Sequence, residues 1–151
     1  MYVLQVLAGD EIGFLERCRR SVTELADALI LPRRQLRIRR NGRWTRQIRP
    51  IFPGYVFLDT EHADTGLWRR LDAVRGFVRP LRSTEDVRSL PPRDEQAIRN
   101  LIRFGSLVRP SRVRFNEDDR IEVIDGPLAG MEGRIVRVDR RKGRARVKLD
   151  L

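Results

Sequence analysis

The chain has 151 residues, 40% hydrophobic and 35% charged, a length that suits one average domain or two small ones. A single cysteine and a single histidine, Cys18 and His62, exclude a disulfide framework, a Cys/His structural zinc site and a Cys/His nucleophile pair. The formal net charge of +11 calls for a polyanionic partner: nucleic acid, an anionic membrane face or an acidic protein surface.

In chain order, Tyr2-Val3-Leu4-Gln5-Val6-Leu7 reads as a buried strand, and Gly9-Asp10 as a turn and helix N-cap. No basic leader precedes these residues, and no apolar run nears the ~18 residues of a membrane span. A soluble, cytoplasmic protein of a reducing compartment is expected. From Glu11 onward Leu15, Cys18, Val22 and Leu25 fall at helical spacing, which makes Cys18 a small buried apolar residue and not a reactive thiol. Ala28-Leu29-Ile30-Leu31, before Pro32, suits either a last helical turn or a short strand, and the strand is preferred.

Residues 32–50 hold eight arginines and no acid: Arg33, Arg34, Arg37, Arg39, Arg40, Arg43, Arg46 and Arg49. Such a run alone reads equally as a solvated, self-repelling loop. Its alternation argues for strands, because Leu36 and Ile38 fall on one face and Arg37 and Arg39 on the other. Asn41-Gly42 is the strongest short hairpin signal, with Trp44, Thr45 and Ile48 on the return strand. A basic β-hairpin over residues 34–48 follows, with arginine forks suited to phosphates and Trp44 to base stacking.

Ile51-Phe52-Pro53-Gly54 then breaks the chain before the strand Tyr55-Val56-Phe57-Leu58. Residues 64–75 form a helix with Leu67, Leu71 and Val74 on one face, terminated by Gly76. Residues 77–81 make a strand too short for a sheet centre. Pro91-Pro92 opens a third helix, with Ala97, Ile98, Leu101 and Ile102 inward and Gly105 at its end. The fold class is α+β, helices against a mostly antiparallel sheet. A linker at 106–112 leads into a β module at 113–151, with strands at 120–124, 133–138 and 145–149 and a basic turn at 140–143. The acidic neighbours Glu117-Asp118-Asp119 and Asp94-Glu95 lie by a turn or a helix start, where they cap and solvate. No Gly-x-x-x-x-Gly-Lys-Ser/Thr loop exists. Neither catalysis, nor a cofactor, nor a metal is expected.

Two stretches in series resemble the NusG-type transcription elongation factors. The first comprises Tyr2-Val3-Leu4-Gln5-Val6 with Gly9, then Phe52-Pro53-Gly54-Tyr55-Val56-Phe57, Trp68, and Val74-Arg75-Gly76-Phe77-Val78. The second runs from Asp119 through Gly126-Pro127-Leu128-Ala129-Gly130 to Gly133 and the strand after it. The resemblance implies an NGN-like polymerase-binding domain at 1–105, a linker at 106–112 and a KOW-type SH3-like barrel at 113–151. It implies a monomer without enzymatic activity that rides on the clamp helices of the largest RNA polymerase subunit, suppresses pausing and promotes antitermination. The polymerase patch would be Phe52, Pro53, Gly54 and Tyr55, with Tyr2, Gln5 and Leu7 as neighbours; without the resemblance, Phe52 and Tyr55 read first as core. The hairpin would lie toward upstream DNA or emerging RNA. The opening strand and the arginine density are also similar to specialised paralogues such as the LoaP antiterminators.

Two departures from the family pattern stand out. The family's barrel continues past the strand at 145–149, so the chain ending at Leu151 is either truncated or completed differently. Leu128 stands where the family commonly has Phe in the loop Gly126, Pro127, Leu128, which contacts Rho or a ribosomal protein, so that coupling stays open. The competing class is a free-standing RNA- or DNA-binding KOW protein linked to the ribosome or RNA maturation.

Overall fold

In the computed structural model, which describes residues 1–83 and 86–149, Tyr2–Val6 forms the first strand, β1. Helix α1 follows at Glu11–Ser21, burying Glu11, Phe14, Leu15 and Cys18. It stops at Ser21, earlier than its apolar spacing suggests; a 3₁₀ turn at Thr23–Leu25 carries Val22 and Leu25 into the core. Asp10 stands at the N-terminus of α1, but its side chain makes no capping bond and instead pairs with Arg17. It is the N-cap residue, as expected, its carbonyl accepting the Phe14 N–H at 2.8 Å, but its carboxylate serves as an ion-pair partner because the guanidinium lies within reach and competes with the helix amides.

Ala28 to Leu31 resolves as a strand, β2 at Leu29–Ile30. A long ribbon follows, β3 at Arg33–Arg40 and β4 at Arg43–Pro50, then β5 at Tyr55–Leu58. Helix α2, Thr65–Asp72, is capped by Asp64, whose Oδ1 accepts the Leu67 N–H at 2.7 Å. It ends four residues before Gly76, which sits in the turn leading to β6 at Phe77–Pro80. β7 (Arg82–Ser83) and β8 (Asp86–Val87) pair with each other.

β2, β5, β1 and β6 form one antiparallel sheet in that order, which puts β6 at an edge as its length predicts. Leu4 and Val6 of β1 and Val56 and Leu58 of β5 share the face covered by α1 and α2. There they meet Phe14, Leu15 and Cys18 from one helix and Leu67 and Leu71 from the other. Each fully buried side chain of this kind contributes about 1.5–3 kcal/mol, so this layer holds the sheet rigid beneath its loops. Burial pushes the Cys18 thiol up to about 11, consistent with an inert core residue.

The chain packs into two compact units, Met1–Leu90 and Pro91–Leu151. The second starts with α3 at Pro92–Leu101, where Pro92 occupies the first turn and Asp94, Ala97 and Ile98 are buried. β9 (Leu107–Val108) lies within the stretch expected as linker, followed by β10 at Arg112–Phe115 and β11 at Ile121–Asp125. β12 at Ile135–Asp139 and β13 at Arg144–Val147 complete the described strands. β10 pairs with β11 and β12 with β13, both antiparallel, and among the described residues these two sheets do not close into a barrel. Asp150 and Leu151, counted in the expected module, lie outside the described residues.

Candidate nucleic-acid and partner surfaces

The eight arginines of residues 32–50 all lie on the β3–β4 ribbon, which runs two residues further at one end than its pattern suggests, to Pro50. Arg40 sits opposite Arg43, so Asn41 and Gly42 make a two-residue turn. Both have positive φ, 50° and 77°, the backbone that a type I′ turn requires and that Asn-Gly adopts at least cost.

Residues directly opposite in an antiparallel pair share a face. One face of the ribbon therefore carries Arg33, Arg37, Arg39 and Arg46 together with Trp44 and Ile48. The other carries Arg34, Arg40, Arg43 and Arg49 with Leu36 and Ile38. The expected separation of Leu36 and Ile38 from Arg37 and Arg39 is present, yet arginines populate both faces. Three register pairs are arginine on arginine: Arg34 with Arg49, Arg37 with Arg46, and Arg40 with Arg43. Like charges directly opposite destabilise a sheet, and the ribbon has no acid of its own to relieve them. Trp44 is 61% exposed, with the Arg37 guanidinium carbon 5.4 Å from its ring centroid. A phosphate backbone would supply the missing negative charge, and a base would stack on the open indole.

Immediately after the ribbon, Ile51 donates its N–H to Pro32 O at 2.8 Å and the chain turns through Phe52-Pro53-Gly54-Tyr55. Gly54 is buried with φ of +81°, left-handed backbone that a residue with a Cβ adopts only under strain. Its carbonyl accepts the Val6 N–H at 2.8 Å, and its own N–H donates to Glu11 Oε1 at 2.7 Å. Glu11 is 4% exposed. Burial pushes its carboxyl up, but backbone N–H groups of Gly54, Gly9 and Glu11 itself outweigh this and hold it below its ordinary value. Sequence reading missed Glu11 as part of the site. The available signal was an acid four residues before Leu15, on the buried stripe of the helix.

The turn is thus fixed from behind while its apolar side chains stay partly open. Phe52 is half-buried and edge-on to Phe57, with ring centroids 5.3 Å apart; Pro53 is exposed and Tyr55 half-buried. Gln5 lies directly opposite Tyr55 and accepts from Arg79 Nε at 2.9 Å. Leu7 is 58% exposed, one residue past the Val6 that bonds Gly54. Tyr2 goes elsewhere: it points to the helix-covered face and packs edge-on against Trp68 at 5.6 Å. The structure brings together Gln5, Leu7, Phe52, Pro53, Gly54 and Tyr55, and separates Tyr2 from them.

In the second unit, Gly126, Pro127 and Leu128 form a tight loop in which Pro127 is buried and Leu128 half-buried. Ser111 Oγ accepts the Leu128 N–H at 2.9 Å, which anchors the loop to the chain before β10. His62 is exposed. Among the described residues, no helix is long and apolar enough to cross a membrane.

Comparison with known proteins finds a family for two successive parts of the chain. Residues 1–99 match the family model described as "Transcription termination factor nusG", and residues 117–150 match the one described as "KOW motif". The chain belongs to the NusG family. Among its relatives, the transcription termination/antitermination protein NusG of Buchnera aphidicola is 27% identical, covering 99% of this chain and 86% of that protein. The NusG of Vibrio cholerae is 28% identical over 99% of the chain and 85% of its own length. That of Bacillus subtilis is 29% identical over 74% and 63%.

Proposed function

We propose that this chain is a transcription elongation factor that binds RNA polymerase, suppresses pausing and promotes antitermination. The observation that carries the reading is the continuity of two surfaces: an arginine ribbon runs directly into an aromatic turn whose backbone is locked by Glu11 and whose side chains stay open. The turn, with Gln5 and Leu7, would lie on the clamp helices of the largest subunit, since an open apolar patch beside a rigid sheet suits a partner helix. The ribbon would reach upstream DNA or emerging RNA. Residues 1–105 would serve as the polymerase-binding part, 106–112 as linker and 113–151 as the KOW part, with Gly126, Pro127 and Leu128 facing Rho or a ribosomal protein. The factor would act as a cytoplasmic monomer and catalyse nothing.

The test is transcription in vitro on a pause or terminator template, with and without its upstream leader. Readthrough that needs the leader selects an operon-specific factor similar to LoaP; a leader-independent effect selects a housekeeping one; no effect on elongation contradicts the proposal. A second reading, a free-standing RNA- or DNA-binding KOW protein, is favoured by one feature, the exposed Trp44 beside Arg37. It predicts tight nucleic-acid binding with no capture of polymerase.

A further inference from the structure

One segment of the C-terminal unit is as densely basic as the first ribbon. Residues 134–148 contain Arg134, Arg137, Arg140, Arg141, Lys142, Arg144, Arg146 and Lys148 against one acid, Asp139. Part of this charge is satisfied internally. Arg134 bonds Asp94 at 2.5 Å, Arg140 pairs with Asp119 and stacks over Phe115 at 3.7 Å, and Lys142 Nζ lies 3.9 Å from Asp139. The remainder is not: among the described residues, Arg137, Arg141, Arg144 and Arg146 have no side-chain hydrogen bond or ion pair, and all four are exposed.

The register explains their arrangement. Arg137 lies directly opposite Arg146 across β12–β13, and two residues along Arg144 shares their face, opposite Asp139, whose carboxylate lies 3.9 Å from Lys142 Nζ. Val138 and Ala145, opposite each other on the alternate face, are half-buried. The ribbon therefore turns an apolar side inward and three guanidinium groups outward against the single carboxylate of Asp139, with a like-charge pair, Arg137 and Arg146, that costs stability unless an anion bridges it. The chemistry of the anion follows from what is absent. Residues 134–149 contain no aromatic side chain, so the stacking platform that single strands use is missing, in contrast to Trp44 on the first ribbon. A basic two-stranded ribbon fits B-form DNA, whose major groove admits such a ribbon between its phosphate rails, whereas the deep, narrow major groove of duplex RNA does not.

We propose that the β12–β13 ribbon is a second nucleic-acid surface, contacting the phosphates of double-helical DNA through Arg137, Arg144 and Arg146. It stands on its own observations, independent of the polymerase patch and the β3–β4 ribbon. The test is fluorescence anisotropy of the full chain on a DNA duplex, a same-sequence RNA duplex and the single strand, across a salt series. The triple variant Arg137→Gln, Arg144→Gln, Arg146→Gln should lower the slope of log affinity against log salt on duplex DNA by about 3. The matching Arg→Lys triple should keep it, as should Arg19→Gln, Arg20→Gln, Arg69→Gln, which removes equal charge from exposed helix positions. In the unmutated chain, amide shifts on adding duplex DNA should include residues 137, 144 and 146, a readout that needs no variant to fold. An unchanged slope, an equal loss in the helix control, a drop in slope for the triple variant on the RNA duplex or the single strand as large as on duplex DNA, or amide shifts that spare β12–β13 would overturn the proposal.

Discussion

Glu11 accepts the backbone N–H of Gly54 at 2.7 Å, tying the first residue of α1 to a turn 43 positions away. The carboxylate lies under the turn, so Phe52, Pro53 and Tyr55 are presented from a backbone with little freedom to move. Removing it by Glu11→Ala leaves a buried N–H without its partner, which costs about 1–3 kcal/mol. Urea unfolding measures this, and polymerase binding should fall with it. Glu11→Gln, which keeps an acceptor oxygen, should lose less.

The same contact sets an acid limit. The folded carboxyl titrates below its ordinary value of 4.5 because backbone N–H groups favour its charged form. Between the folded and unfolded values the unfolded chain binds more protons, so stability rises with pH through that window. Glu11 therefore stabilises fully above about 4.5, and its contribution is lost as pH falls through the folded value. Denaturant midpoints across this range should show a component that Glu11→Gln abolishes.

Trp44 separates stability from binding. At 61% exposure it supports little of the core, and Trp44→Ala should shift stability by no more than about 0.5 kcal/mol. If the indole stacks a base, the same variant should weaken single-strand binding by about 1–3 kcal/mol. Paired thermal melts and titrations read both.

Within the C-terminal unit, Asp94 is 1% exposed and bonds Arg134 at 2.5 Å, fastening α3 to the residue before β12. Replacing Arg134 with Gln withdraws a cation from a buried carboxylate, at a cost on the order of 3 kcal/mol. A lowered unfolding midpoint, with earlier amide exchange in α3, checks it.

These tethers also mark where sequence reading stopped. The β3–β4 ribbon was legible because its signals are local: Asn41-Gly42 supplies the turn and alternation supplies the strands. The strands of the first sheet were legible as short apolar runs bounded by glycine and proline, whereas their order, β2-β5-β1-β6, was not. Glu11–Gly54 and Asp94–Arg134 join residues 43 and 40 positions apart, and no local spacing encodes such a bond. Asp10 holds the N-cap position that a local rule assigns it, while the use of its carboxylate was not legible, since Arg17 offers a stronger charge-assisted partner than the helix amides. Tyr2 was grouped with Gln5, although strand alternation with an odd offset sends the two to opposite faces.

The central claim is that the open turn binds RNA polymerase, and the most direct measurement is retention of the full chain on immobilised polymerase. Leu7→Glu changes a side chain that is 58% exposed, so the fold should persist, and Tyr55→Ala removes an aromatic from the same patch. Each is expected to lower affinity about tenfold or more, as loss of a buried interface anchor does, with circular dichroism unchanged. Folded variants that bind polymerase as tightly as the original chain would contradict the account.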